Sequence, residues 1–198
     1  MKKIILSAAA IFAFGFANAQ DKKESSEGFA KGDVFVSGAV TLSSKKTGEL
    51  KENSFEFEPK VGYFVSENIA VGAKLGFGTM KNENAAGTTL DKTSFTVGAF
   101  GRYYFTPASK FSLFANLGVD YTGEKDKNIE PNEDTKILGL GLGLGLHYFV
   151  SSNFAIEAGV GALSYESNDN GGDGAEKTNT FNFGGDWRDV SFGVIYKF

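Results

Sequence analysis

Residues 136–150 read KILGLGLGLGLHYFV, a strict alternation of leucine and glycine that closes on a histidine and two aromatics. A period of two is the side-chain period of a β-strand, which sends successive residues to opposite faces. Leu138, Leu140, Leu142, Leu144, Leu146 and Tyr148 then form one apolar face, and Gly139, Gly141, Gly143, Gly145 and His147 form a nearly bare one. Glycine-rich linkers place no leucine at every second position. Any fold that uses this segment needs one oily surface and one almost empty surface on the same sheet.

The pattern recurs along the chain. IAVGAKLGFGT from Ile69, FSLFANLGVDYT from Phe111, FAIEAGVGA from Phe154 and VSFGVIYKF from Val190 each split into an apolar face and a face of small residues and single charges. Weaker alternation marks DVFVSGAVTLS from Asp33, SFEFEPKVGYF from Ser54 and SFTVGAFGRYYF from Ser94. The chain thus offers eight candidate strands, each near the ~9–11 residues that cross a bilayer at a tilt. Long polar connections at 44–53, 80–92, 123–135 and 166–182 alternate with short ones at 66–68, 106–110 and 151–153. Both chain ends then fall on the short-turn side.

An internal repeat supports the hairpin count. GYFVSENIAVGA, YYFTPASKFSLFA and HYFVSSNFAIEAGVG each run from an aromatic pair through a short polar turn into an alternating strand. The repeat would set Tyr104 on the apolar face with Tyr63 and Tyr148, whereas strand parity from Phe95 turns Tyr104 and Arg102 inward. Parity is the stronger guide, because an arginine on a lipid face costs about 2–4 kcal/mol near mid-bilayer.

The first residues state where the chain is sent. MKKIILSAAAIFAFGFANAQ has a basic start, an apolar run from Ile4 to Ala17 and the small-residue pattern Ala17-Asn18-Ala19, the mark of a cleaved secretory signal over 1–19. A short N-terminal segment, 20–30, expected in the periplasm, precedes the barrel region 31–198. Removing Lys2 and Lys3 from the 20 basic residues leaves 18 against 24 acidic, a net charge of −6, which argues against nucleic acid as a partner. With no cysteine in the chain, an exported protein must rely on backbone pairing and packing rather than disulfides.

Alternation also fits a soluble sandwich or a lipocalin-like barrel, so the polarity of the second face decides. A solvent-facing strand favours Thr, Lys, Glu and Arg, because glycine weakens a strand by about 0.5–1 kcal/mol relative to alanine. Here that face is mostly Gly, Ala and Ser, as expected for the crowded interior of a small barrel. The leucine stripe therefore faces lipid. The glycines leave room inside for Phe100, Arg102 and Phe114.

The charges fall on the same inner face: Glu56, Glu58, Lys60, Lys74, Arg102, Asp120, Glu157, Asp189 and Lys197. Buried charge is costly unless paired. Glu58, Lys60, Lys74, Arg102, Asp120 and Glu157 are accordingly expected to form a structural ion-pair network across a narrow lumen. An ion path through that lumen is the rival reading.

These features resemble the outer-membrane β-barrel domain family of Gram-negative bacteria, the porin-like group that includes the OmpA transmembrane barrel. The resemblance spans about residues 30–198 and rests on the signal peptide, the eight alternating strands, the strand-turn repeats and the terminal VSFGVIYKF. It implies an all-β, eight-stranded antiparallel up-and-down transmembrane barrel in the outer membrane, with short periplasmic turns and longer surface loops. It further implies that Val190, Phe192, Val194, Tyr196 and Phe198 form the signal read by the barrel assembly machinery. A monomer surrounded by outer-membrane lipid is the expected state.

The residues point away from catalysis. No cysteine supplies a thiolate, and the single His147 has no carboxylate or serine beside it in sequence. The acidic stretches GEKDKNIEPNEDT and ESNDNGGDGAEKTN match no defined calcium-loop spacing, so no metal or cofactor is expected. Trp187 reads as an interface anchor. The main expectation is a structural, porin-like barrel with a charge-plugged lumen and surface loops that bind a partner of unknown identity. The alternatives are a transporter of small solutes or apolar cargo and a lipid-modifying barrel enzyme.

Overall fold

The computed structural model describes residues 27–128, 134–171, 174–184 and 190–198. The signal peptide, Trp187 and Asp189 lie outside the described residues. Nine strand segments follow in chain order: β1 Val34–Thr47, β2 Leu50–Phe64, β3 Ile69–Asn84, β4 Gly87–Tyr104, β5 Phe111–Asp126, β6 Asp134–Phe149, β7 Phe154–Asn168, β8 Thr178–Phe183 and β9 Ser191–Lys197. Each pairs antiparallel with its sequence neighbour from β1 through β7. β8 and β9 share the eighth position: both pair with β7, and β9 pairs with β1 and closes the barrel. The fold is an eight-stranded antiparallel barrel.

Alternation dictates the two faces as the sequence suggests. Leu140, Leu142, Leu144, Val71, Val97 and Val119 point outward and are each 41–52% exposed to the surroundings of the barrel. Tyr63, Tyr103, Phe105, Phe111, Tyr148 and Phe154 form an outward aromatic girdle near the short turns. In β4 it is Tyr103 that faces out, while Arg102 and Tyr104 are buried inside. Parity prevails over the repeat.

The strands are longer than the sequence reading allowed. β2 to β7 run 15–18 residues each, beyond the ~9–11 that a bilayer requires. The stretches 44–53 and 80–92 are almost wholly strand, turning at Gly48-Glu49 and Ala85-Ala86. Segment 166–182 likewise contains the end of β7 and most of β8. These extensions are polar on both faces, so hydrophobic alternation vanishes although the backbone pairing continues. Cross-strand ion pairs hold them instead: Lys45–Glu52 at 3.5 Å, Lys92–Glu124 at 3.1 Å and Lys125–Asp134 at 3.0 Å. The last strand also begins one residue later than expected, at Ser191.

Candidate functional site

At the short-turn end the inner face is aromatic. Phe35, Phe64, Tyr104 and Phe149 are fully buried there, with Ile195 and His147 among them. Into this ring the chain preceding β1 inserts Phe29, which is 2% exposed. Its ring centroid lies 4.6–5.6 Å from those of Phe35, Phe64, Tyr104, His147 and Phe149. Local geometry fixes the insertion. Gly28 has φ +139° and passes so close to the Ala108 backbone that no Cβ fits, a conformation that glycine alone adopts readily. Phe29 N donates to Pro107 O at 2.7 Å, Gly32 N donates to Phe64 O at 2.9 Å, and Lys197 Nζ donates to Gly28 O. Glu27 and Lys110 pair at 3.1 Å on the rim; the hydrogen bond to Glu27 holds the Lys110 ammonium pKa above its ordinary value.

Above the aromatic layer lies Arg102, whose guanidinium is held from three sides. Nη1 donates to Glu157 Oε2 at 2.8 Å and to Tyr104 Oη at 3.3 Å, and Nε donates to Asn116 Oδ1 at 3.1 Å. The rings of Phe114 and Phe100 flank it at 4.4 and 5.2 Å. Asn116 is the cross-strand neighbour of Arg102, while Glu157 reaches it across the lumen from β7. Both charged side chains are under a tenth exposed, so each needs the other.

Higher still, Lys74, Gly98 and Asp120 occupy one row across β3, β4 and β5. Gly98 has no side chain, so Lys74 Nζ reaches Asp120 Oδ2 over it at 2.9 Å. Lys60 and Lys74 are themselves cross-strand partners and share Glu58, at 3.4 and 3.7 Å. Of the six residues expected to form the lumen network, Arg102 thus pairs with Glu157, and Glu58, Lys60, Lys74 and Asp120 form a second cluster. Glu56 lies above that cluster and is exposed, whereas Lys197 is buried near the short turns.

The glycines play two different parts. Phe35 lies over Gly62, Phe100 over Gly72 and Phe114 over Gly145, each a directly paired glycine with no room for a Cβ. Gly141 and Gly161, by contrast, face open space. The expected crowding therefore holds in part: Gly78 and Gly98 are closed by Ser94 and Asp120, whereas the wall at Gly141 and Gly161 is open. Alongside Gly141 and Gly161 a cavity of about 280 Å³ remains, bordered by Arg102, Lys60, Lys74, Asp120 and this glycine wall. Gly143 is tight for another reason, the Val160 carbonyl 2.8 Å from where its Cβ would stand.

In the terminal strand Phe192, Val194 and Tyr196 alternate outward against the buried Ile195 and Lys197. Phe198 donates its N–H to Val34 O at 3.0 Å, and Val190 precedes the strand. Sequence reasoning missed Phe29, which sits in a polar segment without periodicity. The only available signal was its place after Gly28, just ahead of the first strand. His147 is fully buried, and among the described residues neither ring nitrogen finds a hydrogen-bond partner. Among the described residues, no group of three or more His, Cys, Asp or Glu side chains is placed to hold a metal ion.

Comparison with known proteins agrees with this architecture. The crystal structure of the outer membrane protein OprG from Pseudomonas aeruginosa superposes with a TM-score of 0.54 at 17% identity, covering 87% of this chain and 99% of that one. Neisserial surface protein A matches with a TM-score of 0.48 at 18% identity, over 84% of this chain and 96% of that one. Ail, the attachment invasion locus protein of Yersinia pestis, matches at 0.45 and 21% identity, over 85% and 99%. No curated protein sequence matches. The model of the outer membrane protein beta-barrel domain matches residues 6–198, and the chain belongs to that family of outer-membrane barrels.

Proposed function

We propose that the protein is a structural barrel of the outer membrane whose lumen is stoppered at its periplasmic end and whose outer hairpins are the surface offered to partners. Phe29 carries this reading: an aromatic side chain 2% exposed inside a ring of five others closes the lumen at the short-turn end. The Arg102–Glu157 pair and the Lys60–Glu58–Lys74–Asp120 cluster reinforce the block above it. Eight strands enclose just enough space for side chains, and here they fill the lower half. The four long hairpins face the exterior and the short turns face the periplasm, the arrangement usual for such barrels. The outward alternation of β9 is what the assembly machinery reads, and the mature barrel is a monomer in lipid.

Planar-bilayer recording tests the reading. The full-length protein gives no steady ohmic conductance, and Phe29→Gly gives openings that the parent lacks. A steady channel from the unaltered protein would replace this reading with one of solute passage.

A further inference from the structure

Charge in the polar extensions of the strands sorts by face. Strand parity continues from the apolar band into these extensions, so Lys46 shares the outward face of Leu42, Lys51 that of Phe55, and Lys125 that of Tyr121. The outward face of the extensions then holds Lys46, Lys51, Lys81, Lys125 and Lys136 against Glu83, Asp91 and Asp134, five minus three, or +2. The inward face holds Lys45 and Lys92 against Glu52, Glu124, Asp126 and Glu166, two minus four, or −2. Glu56, lower on the same inward face, adds a further negative charge there. Glu49, Lys127, Asp169, Glu176 and Lys177 stand in the connections beyond the strand ends. An acidic chain thus turns its lysines toward the lipid side.

The three outward acids are already used. Glu83 is taken by Lys81 at 2.5 Å, Asp134 by Lys125 at 3.0 Å and Asp91 by Lys127 at 3.4 Å. Lys136 has the Asp169 carboxylate nearby, which accepts its backbone N–H. Lys46 and Lys51 remain, directly opposite each other across the β1–β2 ladder and both exposed. Among the described residues no carboxylate lies within 4.0 Å of either ammonium, although Glu83 neighbours Lys51 on β3 and Glu49 lies in the turn between them. Like charges directly opposite destabilise a sheet, and an anion shared by the two relieves that cost.

The same two columns say which anion. Below the lysines Ser44 Oγ donates to Asn53 Oδ1 at 2.8 Å, and below that pair stand Leu42 opposite Phe55 and Val40 opposite Phe57. All four apolar side chains are exposed on the lipid side. The step of four residues from Leu42 to Lys46 spans about 13 Å along the strand, or about 10 Å in height at the usual tilt. Lysine stems bend along the wall to cover part of that height. Apolar rows, a polar step and a double cation follow the order of a lipid from acyl chain to headgroup.

We propose that Lys46 and Lys51 together bind the phosphate of an outer-leaflet lipid whose acyl chains lie on Val40, Leu42, Phe55 and Phe57. Each lysine beside an anionic lipid surface contributes roughly fivefold in affinity. The proposal rests on the hairpins lying at the outer surface. Protease accessibility on intact cells reads that orientation, whereas binding to purified protein is independent of it, so the two fail separately.

Dioleoyl phosphatidate and dioleoyl phosphatidylcholine are the probes, titrated against the full-length protein in non-ionic detergent and read by native mass spectrometry. The protein retains phosphatidate about tenfold or more tightly than phosphatidylcholine. The double variant Lys46→Gln, Lys51→Gln loses that preference and keeps the heat-modifiable mobility of the folded barrel, because both side chains are exposed. Lys125→Gln removes an outward lysine already paired with Asp134 and keeps the preference. Equal retention of the two lipids by the unaltered protein overturns the proposal, as does a preference unchanged in the double variant. An equal loss in Lys125→Gln would reduce the effect to general surface charge and overturn the site. Glycerol 3-phosphate competing as strongly as phosphatidate would assign the lysines to a free anion and overturn the lipid.

Discussion

The Phe114 ring lies directly over Gly145, its cross-strand partner, and leaves no room there for a Cβ. Two turns of the same Leu-Gly pattern away, Gly141 faces nothing within 4 Å. Two glycines that look identical in sequence therefore respond oppositely. Gly145→Ala overpacks the lower lumen and destabilises by about 1–3 kcal/mol. Gly141→Ala is neutral or stabilises by about 0.5–1 kcal/mol, the strand penalty of glycine removed. Urea titrations in lipid vesicles read both.

Glu157→Ala leaves the Arg102 guanidinium buried with one of its acceptors gone. Loss of one partner of a buried pair costs about 3–5 kcal/mol. The double variant Arg102→Met, Glu157→Leu recovers most of that loss, because no uncompensated charge remains. A double variant as unstable as the single one would mean that the pair contributes far more than mutual neutralisation.

Gly28→Val tests the stopper without touching its ring. A side chain at φ +139° against the Ala108 backbone prevents residues 27–33 from docking. Hydrogen exchange at Phe29 N and Gly32 N accelerates, since their acceptors Pro107 O and Phe64 O are lost, while exchange in β3 to β6 stays as it was. Uniform acceleration through all strands would show that the segment is part of the barrel's cooperative unit instead.

Leu142 faces outward, 42% exposed on the lipid side. Leu142→Arg therefore destabilises by about 2–4 kcal/mol, the mid-bilayer cost of a cation. An undiminished midpoint in the same titration would move Leu142 out of the membrane's apolar zone.

Phe198→Ala lowers the yield of folded, heat-modifiable protein in cells and leaves export intact. Refolding of purified Phe198→Ala in vitro at the parent's rate, together with the cellular defect, separates recognition by the assembly machinery from intrinsic stability.

Much of the barrel was legible because lipid and lumen impose opposite chemistries on neighbouring residues. Leu138 to Tyr148 announces both faces at once, and the inward turn of Arg102 followed from parity alone. The outer halves of the strands were not legible. Lys45, Glu52, Lys92 and Glu124 are solvated on either face, so nothing in their order distinguishes a paired strand from a loop. β8, with the sequence TNTFNF and every residue exposed, was hidden for the same reason. Phe29 was invisible because one aromatic in a polar segment has no period, and its partners Phe64, Tyr104 and Phe149 come from three other strands. The cavity was hidden too, since whether a glycine is covered depends on what stands opposite it.

The register of β7 changes at mid-height. Below Ala162 its odd residues, Ala155, Glu157 and Gly159, point inward, whereas above it Leu163 and Tyr165 pair with the outward Leu142 and Leu140. Over the same level β7 advances four residues from Gly159 to Leu163, while the eighth position uses eight, from Ser191 back to Phe183. The wall is thus built as two storeys that differ in register. Residues exchanged in β7 above Ala162 or in β8 alter the upper storey without re-phasing the pairing of Phe154–Gly159 with Ser191–Tyr196 below. The outer rim is free to be rewritten, in length and in chemistry, over a foundation whose inward and outward code stays fixed.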